Sequence, residues 1–169
     1  TWLVTGGAGY IGAHVVRAFS SVGITPVVVD DLSTGRAAFV PPEVTLVQGD
    51  ILDVDLLTDT LDRFNCTGEV HVAGFKYAGV SVKRPLLTYT QNVTGMVRVL
   101  DAMHRAGVNK MVFSSSAAVY GTPSTELVTE DSPTHPESPY GESKLVGEWL
   151  MSDVARAWPE FSSVALRYF

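Results

Sequence analysis

Tyr140 and Lys144 stand four residues apart in the run Ser138-Pro139-Tyr140-Gly141-Glu142-Ser143-Lys144, which opens a segment of helical spacing. On a helix that separation puts both side chains on one face. A phenol ionises near pH ~10 in water, too high for a base at neutral pH, but a fixed ammonium beside it favours the phenolate. A tyrosine held next to a lysine can therefore take a proton from a substrate hydroxyl. Alone, Tyr-x-x-x-Lys is a common accident that describes many surface pairs. Its weight comes from its company. Ser114-Ser115-Ser116 ends a strand-like run and brings hydroxyls to the carboxyl edge of a sheet, where open α/β sheets bind ligands. Ser138 and Pro139 suit the cap and the first residue of the helix that carries the pair.

A second constellation lies at the front of the chain. In Thr5-Gly6-Gly7-Ala8-Gly9-Tyr10-Ile11-Gly12 the glycines at 6, 9 and 12 fall between a strand-like run and a helical one. Gly6 suits a tight turn, Gly9 a close backbone approach to a pyrophosphate, and Gly12 close packing of the helix on the strands. The free N–H groups at the helix start then face the phosphate charge. The next strand ends in Asp30-Asp31, where a carboxylate accepts the hydroxyls of an adenine ribose and repels a 2′-phosphate, which favours NAD over NADP. Arg36 is the nearby cation that would soften this preference. A structural turn and a solvated aspartate are the bland readings, and the strand-loop-helix context argues against both.

The elements that must position these residues follow from periodicity. Short apolar runs over 2–5, 25–30, 44–47, 69–73, 110–115 and 163–169 read as buried parallel strands. Helix-spaced segments over 10–21, 53–64, 86–106 and 141–158 lie between them. Along the last helix, Leu145, Trp149, Leu150 and Val154 are expected to face the sheet, with Glu142, Lys144 and Glu148 off it. The alternation predicts an α/β fold with a doubly wound parallel sheet of Rossmann type, one domain over residues 1–169. Residues 121–138, with Pro123, Pro133 and Pro136, read as a long surface loop of the kind that is usually functional or mobile.

Composition removes several function classes. With 169 residues, 46% hydrophobic and 18% charged, the chain can bury one sizeable core. The formal charge of -6 and the lack of any basic cluster beyond Lys83-Arg84 argue against nucleic acid. Cys66 is the only cysteine, which excludes an internal disulfide and suits a reducing, cytoplasmic setting. No apolar run approaches the ~18 residues of a membrane span. His14, His104 and His135 are scattered and His71 reads as a hydrogen-bonded core residue, so no metal site is expected. Trp2, Trp149 and Trp158 are expected in the core or an interface. The chain starts directly on a strand and stops on one, and is expected to be part of a longer protein that lacks here its C-terminal substrate domain.

Together these residues resemble the extended short-chain dehydrogenases/reductases, and the resemblance runs the length of the chain. Gly49-Asp50-Ile51, His71-Val72-Ala73-Gly74-Phe75-Lys76, Phe113 to Gly121 and Leu166-Arg167-Tyr168-Phe169 sharpen it to the branch that epimerises UDP-hexoses at C4. The resemblance implies that NAD is held by Gly6, Gly9, Tyr10, Ile11, Gly12, Asp30, Asp31, Leu32 and Ser33. Asp50 and Ile51 would flank the adenine, while Val72, Ala73, Gly74, Lys76, Asn92, Ser114 and Phe169 would line the rest. It implies Tyr140 as the base, Lys144 as its electrostatic partner and ribose ligand, and Ser116 as the residue that holds the sugar's 4-hydroxyl. NAD would take hydride from C4 and return it to the other face of a 4-keto sugar, UDP-glucose and UDP-galactose being the expected pair. Gln91 stands where such enzymes often have asparagine. A homodimer formed through the 86–106 helix is also implied.

Two other readings stay open on the sequence. A nucleotide-sugar 4,6-dehydratase, or an epimerase of another sugar, shares the fold, but a dehydratase commonly places an Asp-Glu pair after its active-site serine, where this chain has Ala117-Ala118. A non-catalytic NAD-sensing protein would be free to lose the tyrosine, lysine or serine, and all three are present.

Overall fold

Runs rich in valine, leucine and phenylalanine form six parallel strands among the described residues: β1 (Trp2–Thr5), β2 (Pro26–Asp30), β3 (Thr45–Gln48), β4 (Gly68–His71), β5 (Lys110–Ser116) and β6 (Ser162–Tyr168). The structure, a computed structural model, describes residues 1–123 and 126–169. Ser124 and Thr125, inside the predicted loop 121–138, lie outside the described residues. The sheet order is β3-β2-β1-β4-β5-β6. Strand order reverses between β1 and β4, which opens a crevice at their carboxyl ends.

Alternate residues of each strand point to opposite faces, and both faces are covered. On one, Leu3, Val29 and Phe113 pack with helices α2 (Val54–Arg63), α5 (Gly95–Arg105) and α6 (Pro139–Ala157) through Leu57, Leu61, Met96, Met103 and Met151. On the other, Val4, Val28 and Val70 pack with helix α1 (Tyr10–Ser21) through Val16. The doubly wound expectation therefore holds. The expectation that all six strands are buried does not, because β3 and β6 are the sheet edges. Exposure alternates along β6, and Val164, Leu166 and Tyr168 stay substantially exposed.

The predicted 86–106 helix forms as one continuous helical run that contains a π-helical turn. Its chain forms α4 (Pro85–Tyr89), a π-helical turn (Thr90–Thr94) and then α5. A further short helix, α3 (Ala78–Lys83), precedes α4. The face predicted for α6 is corrected at three residues. Lys144 is buried at 6% exposure and Glu148 points inward to β5 and β6, whereas Trp149 is 58% exposed. Leu145, Leu150 and Val154 do pack inward and Glu142 is exposed, so hydrophobic spacing placed most of this face and missed only the three residues Lys144, Glu148 and Trp149. Ser138 and Pro139 do start α6: the Ser138 hydroxyl accepts the Gly141 N–H at 3.2 Å and Pro139 is the first helical residue. His71 is a core residue, its Nδ1 2.7 Å from the Thr5 hydroxyl that also donates to the buried Glu69 carboxylate. Trp2 packs edge-on against Phe19, and Trp158 stacks on His104.

Candidate active site

The crevice at the strand-order reversal deepens into a cavity of about 490 Å³. Its first wall is backbone. Gly6 turns the chain with φ +72°, and a Cβ there would lie 2.6 Å from the Ala73 nitrogen. At Gly12 a Cβ would meet the Gly6 carbonyl oxygen at 2.2 Å, so this glycine lets α1 close onto the glycine turn itself. Gly7, rather than Gly12, makes the close approach to a strand, lying against the Val28 side chain. Helix α1 starts at Tyr10 without a side-chain cap. The N–H groups of Tyr10, Ile11 and Gly12 consequently have no acceptor inside the helix, and all three residues line the cavity.

The acidic wall is held by the same loop. One Asp30 oxygen accepts the Ala8 N–H at 2.9 Å and the other the Leu32 N–H at 2.8 Å. A carboxylate offers about four acceptor positions, so Asp30 retains capacity for further donors in the cavity it lines. Leu32 itself does not line the cavity. Its φ of +61° bends the chain so that its amide meets Asp30. Asp31 accepts both the amide and the hydroxyl of Ser33. Arg36 lies over the Phe39 ring, 5.7 Å from its centroid. Asp50 and Ile51 close this end, with Val72, Ala73, Gly74 and Lys76 along the floor.

The other end is made of side chains. Lys144 is buried, and its ammonium donates to the Ser114 carbonyl at 2.9 Å, 4.9 Å from the Phe113 ring centroid and 5.9 Å from that of Tyr140. Burial pulls its pKa down from 10.5 to about 8, so it stays mostly protonated at neutral pH. The Tyr140 amide donates to the Ser81 hydroxyl of α3 at 3.1 Å, which satisfies one of the free N–H groups at the start of α6. Tyr140, Lys144 and Ser114 all line the cavity. Ser116, expected at the reaction centre, ends β5 but does not line the cavity; its hydroxyl oxygen accepts the Ala118 N–H at 3.1 Å, which leaves the hydroxyl hydrogen for another acceptor.

A model of the NAD-dependent epimerase/dehydratase family matches residues 2–169. The chain belongs to that family. It is 46% identical over 99% of its length to a UDP-glucose 4-epimerase of Azospirillum brasilense, of which it covers 48%. It also resembles the crystal structure of UDP-glucose 4-epimerase from Brucella ovis in complex with NAD: TM-score 0.96, 40% identity, 99% of this chain and 51% of that one. The UDP-Glc/GlcNAc 4-epimerase of Campylobacter jejuni gives a TM-score of 0.95 at 35% identity, over 99% of this chain and 52% of that one. The chain thus spans about half the length of the relatives it matches.

The family's cofactor is NAD, and the cavity fits it. A helix start whose free amides donate, a glycine turn that excludes any Cβ, and an acidic residue at the end of β2 that accepts are the features that a dinucleotide needs. Three residues expected around the cofactor do not line the cavity: Leu32, Asn92 and Phe169. The Asn92 amide is engaged elsewhere. It accepts the Phe75 N–H at 2.6 Å and donates to the Phe75 carbonyl at 3.0 Å and to the Ser143 hydroxyl at 2.8 Å, so it splices the β4 loop to α6. The π-helical turn presents it, and such turns recur at functional sites. Phe169 is 90% exposed and stacks on Tyr120, away from the cavity. Thr34, Gly35, Tyr77 and Leu87 line the cavity although their types and spacing gave no chemical signal. Among the described residues no helix is long and apolar enough to cross a membrane, and no cluster of three metal-ligating side chains occurs.

Proposed function

We propose that the intact protein interconverts UDP-hexoses at C4, UDP-glucose and UDP-galactose being the first pair to test. The observation that carries this reading is the convergence of Tyr140, buried Lys144 and Ser114 on the wall of one cavity whose other wall is a dinucleotide cradle. The names of the relatives, UDP-glucose 4-epimerases in several organisms, support it.

NAD would be held by the amides of Tyr10, Ile11 and Gly12, by Asp30, and by Asp50, Ile51, Val72 to Gly74 and Lys76. Bound there, it supplies the acceptor and donor of hydride at the sugar carbon. The protein's own part is proton traffic and orientation. Tyr140 takes the proton of the 4-hydroxyl as the C4–H bond breaks, and gives it back when that bond re-forms. Lys144 favours the anionic phenol through its charge. Ser116, with its hydrogen free, donates to the sugar oxygen and fixes its position. The Phe113-lined, desolvated setting of Lys144 strengthens its influence over short distances.

Tyr140→Phe in the intact protein tests the assignment. Turnover of UDP-galactose should fall by roughly 10²- to 10⁴-fold, while NAD stays bound to the purified variant. Undiminished turnover would remove Tyr140 as the base.

A further inference from the structure

Glu148 lies one helical turn beyond Lys144 on α6, outside the cavity. Its side chain is only 12% exposed, and its carboxylate accepts three hydrogen bonds. The Ser115 hydroxyl donates to it at 2.5 Å, and Arg167 donates from Nε at 3.0 Å and from a terminal nitrogen at 2.7 Å. The remaining guanidinium nitrogen of Arg167 reaches the Tyr120 hydroxyl at 2.8 Å and the Glu130 carbonyl at 3.2 Å. One carboxylate therefore joins α6 to the ends of β5 and β6, and through Arg167 to the 121–138 loop. The bidentate pair with Glu148 holds the guanidinium pKa above its ordinary value.

We infer that Glu148 is a positioning residue for the reaction centre, which fixes the end of β5, and with it Ser116, against the Tyr140–Lys144 face of α6. Helix α6 grips β5 at two consecutive residues: Lys144 holds the Ser114 carbonyl and Glu148 holds the Ser115 hydroxyl. β6 pairs with β5 as far as Ser116 in the plane of the sheet, and a single helix contact would leave the angle between α6 and that strand end less restrained. Two contacts from side chains one turn apart restrain that angle. Of the three consecutive serine hydroxyls, Ser115 is thereby committed to Glu148, and Ser116 has only the Ala118 amide on its oxygen. Reaction centres are sensitive to this kind of support, since a displacement of about 1 Å can cost on the order of 10²-fold in rate. Glu148 does not line the cavity, so it acts on the β5 end through Ser115 and on β6 and the loop through Arg167.

The test uses the intact protein with Ser115→Ala, Glu148→Gln and the double variant. Ser115→Ala leaves the Glu148–Arg167 pair in place, so it reports on the β5 link even where Glu148→Gln folds poorly. For Ser115→Ala, kcat for UDP-hexose epimerisation should fall roughly tenfold, with KM and NAD retention within about twofold of the parent. Glu148→Gln, which also weakens the Arg167 pair, should fall at least as far, and the double variant should lose less than the two single losses added, because the Ser115 contact is common to both changes. Amide hydrogen exchange should quicken across residues 114–120 in Ser115→Ala and stay unchanged in the glycine loop. A kcat within twofold of the parent in Ser115→Ala, fully additive losses, or a change in KM alone would overturn the inference. Its kinetic arm rests on the epimerase reading, but the exchange arm does not. A parent protein without turnover contradicts that reading, whereas unchanged protection at 114–120 contradicts the role of Glu148.

Discussion

The β1–β2 end of the cavity is lined mainly by a backbone turn and a helix start, while its β4–β5–α6 end depends on side chains that hydrogen-bond to the backbone of elements distant in the chain. At the first end, the parts that matter lie within a few residues of one another: a glycine turn, the start of α1, and Asp30, whose oxygens are fixed by the amides of Ala8 and Leu32. At the second, Lys144 depends on Ser114, Tyr140 on Ser81, and the β4 loop on Asn92. A site built from backbone is sensitive to added volume. A site built from side-chain contacts is sensitive to lost partners and to charge.

Gly12→Val should give the largest effect. Even a Cβ would meet the Gly6 carbonyl oxygen at 2.2 Å, so overpacking against backbone should cost roughly 3 kcal/mol or more and leave the purified protein without NAD. Chemical denaturation and assay of released cofactor would check both. A stable, NAD-loaded variant would break the backbone half of the comparison.

The side-chain half is tested next by pH. Burial lowers the Lys144 pKa from 10.5 to about 8. Below pH 8 the folded and unfolded chains both carry the proton, and the cost of burying the charge is borne in full. From there up to 10.5 the unfolded chain binds more protons, so this residue makes stability rise with pH. Cys66 acts in the opposite sense: burial pushes its thiol up from 9.0 to about 11, so its contribution is lost as pH climbs through that interval. The difference in unfolding free energy between the parent and Lys144→Met cancels Cys66. It should move in the parent's favour by on the order of 3 kcal/mol between neutral pH and pH ~10.5, measured by urea titration at several pH values. A pH-independent difference would mean that the ammonium is not desolvated.

Asn92→Ala is smaller. It removes the partner of the Phe75 amide and carbonyl, while the Ser143 hydroxyl keeps its bond to the Tyr140 carbonyl. The loss should cost about 2 kcal/mol and slow turnover while NAD remains bound. Thermal unfolding with steady-state kinetics separates the two effects. Asp30→Asn has the smallest expected effect, on cofactor choice, and its amide nitrogen also cannot accept one of the two backbone bonds from Ala8 and Leu32. Removing the charge that repels a 2′-phosphate should shrink the preference for NAD over NADP roughly tenfold, or ~1.4 kcal/mol, read from cofactor titrations of the cofactor-free protein.

The same contrast explains what was legible in the sequence. The glycine loop, Asp30 and the strand alternation are local patterns, and every strand and the helices α1, α2 and α6 fall within a few residues of their expected places. Ser138 and Pro139 marked the start of α6 because capping is local too. Helix α3 was not visible: its six residues include Gly79 and the β-branched Val80 and Val82, too short and too poor in helix formers to show a period. The π-helical turn was equally hidden, since Asn92 earns its place only through Phe75 and Ser143, 17 and 51 positions away in the chain. On α6, Leu145, Leu150 and Val154 face inward as their spacing indicates, but Lys144 and Glu148 escaped because they are buried by their partners and not by their hydrophobicity.

The most direct test of the account is to purify the intact protein without added cofactor and supply UDP-galactose alone. UDP-glucose should form with no NAD added, since a cofactor that is regenerated in each cycle stays in its cradle. Absence of turnover even with NAD supplied would contradict the epimerase reading, and would leave the dinucleotide cavity in search of a different sugar nucleotide.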